Sequence, residues 1–236
     1  MNQEKVNKIF EKVYEKISPK DIFTVYLFGS QNYLLDTANS DFDICAVVFP
    51  TKSNLLLGEK HYLNNKTIIK EEKVTVFVKD IRDYCTGLLS GGSIFLESLI
   101  TPYRENPSNI YMEKAVKDDI FYGVRHRILS ETMGQIHAAV KTLSKVSDAK
   151  FKKTYRNICR LTEFYKVFYE YPTLDGYSRA IRFGNKVNAV YEPNLSGIAA
   201  LHENVKNSSE NRIDWEHARL RVDLFLIKVL SERLEK

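Results

Sequence analysis

"LFGSQNYLLDTANSDFDICAVV", residues 27–48, places a Gly-Ser pair straight after one apolar run and two aspartates, Asp41 and Asp43, at the mouth of another. In an extended strand side chains alternate faces, so Asp41 and Asp43 point one way while Phe42 and Ile44 point the other. Two carboxylates this close repel each other unless a cation lies between them. A hard divalent ion takes carboxylate oxygens together with substrate phosphates, which is what such a pair offers. Gly29 lets the backbone approach a phosphate, and exposed N–H groups with the Ser30 hydroxyl suit anionic oxygens. A lone Gly-Ser is an ordinary turn and a lone Asp-x-Asp an ordinary strand end. In this order, each beside a β-type run, the two are far more specific.

Outward from this stretch the chain divides in character. Val6, Ile9, Phe10, Val13, Tyr14 and Ile17 follow helical periodicity, and Ser18-Pro19 ends that helix. Residues 22–28, 41–49 and 74–78 are rich in β-branched and aromatic residues and predict three strands, with residues 58–73 as a connection. Beyond Lys79, two helical segments flank the Gly91-Gly92 break, and residues 111–145, 151–170 and 211–235 carry helix-period patterns. In the last of these, Ala218, Val222, Phe225 and Val229 mark the buried stripe. The fold class predicted is α+β: a small mixed β-sheet core with helices over residues 1–107, then an all-helical domain over residues 108–236.

Length and composition agree with that division. The chain has 236 residues, 44% hydrophobic and 12% aromatic, enough for a substantial core. No apolar run approaches the roughly 20 residues of a membrane-spanning helix. The charged start has no apolar segment of signal-peptide type, so the expectation is a cytoplasmic protein with no membrane partner. Cys45, Cys85 and Cys159 fit no metal-binding spacing and are expected to be reduced, buried thiols. The net charge of +5 is modest, but Lys150, Lys152, Lys153, Arg156 and Arg160 gather positive charge suited to an anionic substrate. A solvated helix face is the other reading of those cations. His126 and His137 have no third ligand and are read as ordinary helix residues.

Gly29-Ser30 followed by Ser40-Asp41-Phe42-Asp43-Ile44 resembles the signature of the DNA polymerase β-type nucleotidyltransferase superfamily. GSQNYLLDTANSDFDI is similar to a narrower branch, nucleotidyltransferases of phages and bacteria related to RNA-repair operon proteins; Tyr33 and Leu35 fit its loop, and Leu34 replaces the usual glycine. The likeness continues through Lys79 to Arg82, Gly91-Gly92, and Phe95, Glu97 and Leu99, and reaches a basic helix at residues 152–161.

The resemblance implies transfer of a nucleoside monophosphate from an NTP such as ATP to an acceptor, with pyrophosphate leaving. The acceptor would be an RNA or tRNA end, a protein side chain or a small molecule. Gly29 and Ser30 would hold the β- and γ-phosphates, and Asp41 and Asp43 would bind Mg²⁺ or Mn²⁺. Lys152, Lys153 and Arg156 are candidates for further triphosphate or acceptor contacts. A third carboxylate is usual on the next strand, yet neither face of KVTVFVKD supplies an acid within it. Glu71, Glu72 or Asp80 at its ends, or Glu97 from the following helix, could take that place. Alternatively two acids suffice, or catalysis has been lost and a nucleotide-binding or antitoxin-like regulatory protein remains. Glu97 could equally pair with Arg82 or Arg125. Neither the base of the nucleotide nor the oligomeric state is legible in the sequence.

Overall fold

The computed structural model describes residues 3–29, 41–143, 145, 147–186, 193–208 and 211–235. By internal packing the chain divides into two units, Met1–Glu113 with Leu220–Lys236, and Lys114–Arg219. The boundary expected from the sequence lies at residue 107, with everything beyond it in the helical half; the structure instead returns the last stretch of chain to the sheet unit.

The first unit is built on a five-stranded mixed sheet. Its strands are β1 (Ile22–Phe28), β2 (Phe42–Val48), β3 (Thr67–Glu71), β4 (Val74–Asp80) and β5 (Arg104–Glu105), in the order β3-β4-β2-β1-β5. β2 runs parallel to β4, and the other neighbours are antiparallel. An α+β architecture is therefore present. The connection expected at residues 58–73 contains β3, whose Thr67, Lys70 and Glu71 are exposed and whose Ile69 is its buried anchor. Such an edge strand shows little apolar alternation, which is why it reads as a loop.

One face of the sheet is sealed by α1 (Gln3–Lys16). Val6, Ile9, Phe10 and Val13 recur at three and four residues and pack with Val25, Leu27, Ile44, Ala46, Val76 and Val78. These strand positions alternate, so the intervening residues of β1, β2 and β4 face the other way. Phe42 packs at the edge of this core, and its neighbour Asp43 consequently belongs to the opposite face.

That opposite face carries α3 (Ile81–Leu89) and α4 (Ser93–Glu97), which follow β4 directly; a short helix, α2 (Lys52–Leu56), lies earlier, between β2 and β3. Tyr84 of α3 meets Phe23 with ring centres 5.9 Å apart, and its hydroxyl pairs with Ser98 Oγ at 2.7 Å. α3 and α4 approach closely because Gly87 has no side chain: a Cβ there would lie 2.2 Å from the Phe95 ring. The last part of α10 (Asn211–Glu235) also belongs to this unit, with Phe225 5.9 Å from Phe23 and Arg233 paired to Asp21.

Asp80, the last residue of β4, is fully buried. It caps α3 through the Arg82 N–H at 2.9 Å, accepts from Arg82 Nε at 2.9 Å, and accepts the His61 backbone N–H at 2.9 Å. Burial alone would raise its carboxyl, but the Arg82 hydrogen bonds and charge, with the backbone N–H groups, hold it below the ordinary carboxylate range. His61, in the same cluster, is pushed down by burial and accepts the Leu63 N–H through Nδ1 at 3.2 Å.

The second unit contains α5 (Lys114–Gly123), α6 (Arg125–Leu143), α7 (Asp148–Glu170), α8 (Leu174–Lys186), α9 (Leu195–Lys206) and the start of α10. α7 packs against α6 and α8. Aromatic contacts dominate its centre, with Phe121 4.8 Å and Phe168 5.5 Å from Tyr177 between ring centres. Arg125 pairs with Asp214 at 2.7 Å, and the Tyr165 hydroxyl meets His202 Nδ1 at 3.1 Å. α8 and α9 lie outside the periodic segments recognised in the sequence. Cys45, Cys85 and Cys159 are free and buried, as expected. Among the described residues, no helix is long and apolar enough to cross a membrane.

Removing the Asp80 carboxylate leaves Arg82 and two backbone donors without their acceptor. Asp80→Ala should lower the unfolding free energy by about 3 kcal/mol, measured by urea denaturation at pH 7. Because the folded-state pKa lies below the unfolded one, this contribution is present at neutral pH. It disappears as pH falls through the folded-state value, and the gap between variant and wild type should close in acid.

Candidate functional site

The site is assembled where β1 and β2 meet. β1 ends at Phe28, which is paired across the ladder with Asp43. Gly29 then adopts φ +84°, a left-handed conformation that strains any residue with a Cβ. A Cβ added to Gly29 would stand 3.7 Å from Asp43 Oδ2, so the turn backbone and this carboxylate are neighbours. Asp41 is exposed, one residue before β2.

Asp43 is half-buried, and burial first, then the Asp41 charge, push its carboxyl up. No cation among the described residues forms an ion pair with it. The expectation put both acids on one face of a strand; Asp43 lies within β2 and Asp41 just before it, near enough for its charge to make Asp43 harder to ionise. Next to Asp43 on β4 stands Thr75, with Phe77 and Lys79 beyond it on the same face. Further along this face the buried Tyr26 hydroxyl has no hydrogen-bond partner among the described residues, and Cys45 stands opposite Tyr26 in the ladder. Burial pushes that thiol up to about 12, which removes it as a nucleophile at neutral pH.

The carboxylates proposed for a third position have other attachments. Glu71 pairs with Lys12 at 2.8 Å. Glu72 is exposed in the turn between β3 and β4. Asp80 stands opposite Val48, five positions along the parallel ladder from the Asp43–Thr75 pair, which is about 16 Å at 3.3 Å per residue. Among the described residues no group of three His, Cys, Asp or Glu side chains is placed to hold a metal ion.

Glu97 has the most informative position. It is buried, and its Oε2 accepts the Gly29 N–H at 2.8 Å. Neither of the arginines considered as its partner fills that part: Arg82 pairs with Asp80, and Arg125 with Asp214. A glutamate within FLESLI gives notice that something polar must meet it, but its acceptor role toward a backbone 68 residues earlier has no signature in sequence.

The chain matches no family model and no curated protein sequence. Of the remaining candidates, Lys152, Lys153 and Arg156 lie on α7, in the helical unit, whereas Gly29, Asp41 and Asp43 belong to the sheet unit. All three of those cations are exposed. Ser30 and the rest of the Gly-Ser spacer, with Tyr33, Leu34, Leu35 and Ser40, lie outside the described residues. His126 and His137 are both on α6, and burial, then the Lys206 charge, push His202 down in the helical unit.

Glu97→Ala should destabilise the protein by about 1–3 kcal/mol, since the Gly29 N–H loses its acceptor, whereas Glu97→Gln, which keeps an oxygen there, should cost less; urea titrations decide this. Asp43→Asn should raise Tm at neutral pH. A folded-state pKa above the unfolded one stabilises at low pH and loses that contribution as pH rises through the folded value, so the Tm difference should shrink toward pH 3.

Proposed function

We propose that the protein is a metal-dependent nucleotidyltransferase that moves a nucleoside monophosphate from an NTP to an acceptor, releasing pyrophosphate. The observation that carries this reading is Asp43, a half-buried carboxylate raised by its own burial and by Asp41, set against the left-handed Gly29 turn. A pair of oxygen donors that cannot comfortably share two negative charges suits a hard divalent ion, and Asp41 and Asp43 are the residues that would hold Mg²⁺ or Mn²⁺. A bound ion of that kind supplies charge neutralisation for an in-line displacement at the α-phosphate.

The chain's own groups account for the rest. The Gly29 N–H is already donated to Glu97, so Gly29 supplies the left-handed turn and the phosphate contact falls to Ser30, the hydroxyl donor implied by the resemblance. Glu97 fixes the direction of the Gly29 N–H. Lys152, Lys153 and Arg156 remain candidates for triphosphate or acceptor contacts. The acceptor is an RNA or tRNA end, a protein side chain or a small molecule.

Thr75 favours a second reading. It occupies the strand position beside Asp43 where a third acid would help activate an acceptor. A nucleotide-binding or regulatory protein on the same scaffold, without transfer activity, is consistent with that residue.

The deciding experiment incubates the purified protein with each α-labelled NTP, Mg²⁺ or Mn²⁺, and total RNA or lysate, beside an Asp41→Ala/Asp43→Ala double variant. Transfer by wild type, reduced at least about 1,000-fold in the double variant, is the expected result. Nucleotide binding by a folded protein with no transfer under either metal would establish the second reading.

A further inference from the structure

α10 is apolar on two sides. Toward its own chain it turns Ala218, Val222 and Val229, all buried, and Phe225. Away from it stand Ile213, Leu220, Leu224, Ile227 and Leu234, which are 46–70% exposed. A single stray leucine on a surface means nothing, but a row of five on one helix is unusual for a helix whose other side already meets a core.

Their spacing is specific. Ile213, His217, Leu220, Leu224, Ile227, Ser231 and Leu234 alternate by four and three residues without a break, and all seven are exposed. That is the 3.5-residue repeat of a coiled-coil seam, carried over three heptads and about 32 Å at 1.5 Å per residue. Ile213, Leu220, Ile227 and Leu234 occupy every d position; His217, Leu224 and Ser231 occupy the a positions. The stripe recognised in the sequence is the opposite one, because the buried residues account for helical periodicity by themselves.

The flanking charges select the occupant. Glu216 and Asp223 lie at g, and Arg221 and Lys228 at e. In a parallel, in-register pair of identical helices, g meets the e of the following heptad on the partner. This sets Glu216 against Arg221 and Asp223 against Lys228, opposite charges in two of the three pairs, with Leu230 against Glu235 as the third. Glu216 also pairs with Arg212 at 3.0 Å, and Arg221 and Asp223 have contacts within their own chain, so these pairs extend existing networks.

We infer that the outer face of α10 binds a second copy of this chain, forming a parallel two-helix coiled coil through Leu220, Leu224, Ile227 and Leu234. The two polar a positions, His217 and Ser231, set the register and hold the affinity to a moderate level.

Sedimentation equilibrium of the full chain between about 1 and 100 µM tests this. A concentration-dependent dimer is expected, and a monomer at every concentration overturns the proposal. A Leu224→Lys/Ile227→Glu variant should loosen the dimer at least about 30-fold. Both side chains are exposed, so circular dichroism and Tm should match wild type. A dimer that survives this variant unchanged overturns the α10 interface. The orientation is read with Ser231→Cys, whose thiols face each other only in a parallel, in-register pair; the three native thiols are buried and add little background. Rapid disulfide-linked dimer under mild oxidation is expected. A reversible dimer that fails to cross-link at Ser231→Cys overturns the parallel pairing.

Discussion

The parallel register of β2 against β4 governs both ends of the sheet unit. It sets Asp43 beside Thr75 at one end of the ladder and Val48 beside Asp80 at the other. The same two strands thus carry one aspartate that is raised by burial and a like charge, and another that is lowered by an arginine and backbone donors. The difference lies wholly in what surrounds each carboxylate. One aspartate is equipped to hold the structure together, while burial and a like charge make the other harder to ionise.

Between these ends, α3 and α4 tie the strands to the Gly29 turn. Asp80 starts α3, Gly87 lets Phe95 close over it, and two residues after Phe95 the Glu97 carboxylate reaches the Gly29 N–H. Each step is local, yet the series joins the far end of β4 to the end of β1. The Gly29 backbone is consequently held in its left-handed conformation by a hydrogen bond to a buried acid. Strain at a turn is tolerated where its surroundings determine it, and among the described residues those surroundings include α4 and its Glu97 hydrogen bond.

Legibility in the sequence follows burial. β1, β2 and β4 are readable because their buried faces write long apolar runs, and α1 because one stripe of it meets the sheet. β3 escapes because an edge strand with exposed Lys70 and Glu71 shows no such run. α9 escapes because its amphipathic signal is weak, whereas α8 does carry a helical period in Tyr177, Ala180 and Ile181. At the site, the two aspartates and Gly29 are visible as a spaced motif, but the bond from Glu97 to Gly29 depends on chain reversal through two helices, and no spacing rule encodes that. The outer stripe of α10 is masked by its neighbour: two apolar stripes on one helix cancel as amphipathic signal.

The sheet unit is made of two stretches of chain, Met1–Glu113 and Leu220–Lys236, separated by the whole helical unit. Phe23 at the start of β1 meets Phe225, and Asp21 meets Arg233. These contacts cannot form on the ribosome until the intervening helices have been made and the last stretch has emerged. At about 5–20 residues per second, the delay is roughly 6–24 s. During that interval the flank of β1 around Phe23 is uncovered, so the nascent sheet waits with an apolar surface open to chaperones, and the helical unit is the first part of the chain able to complete itself.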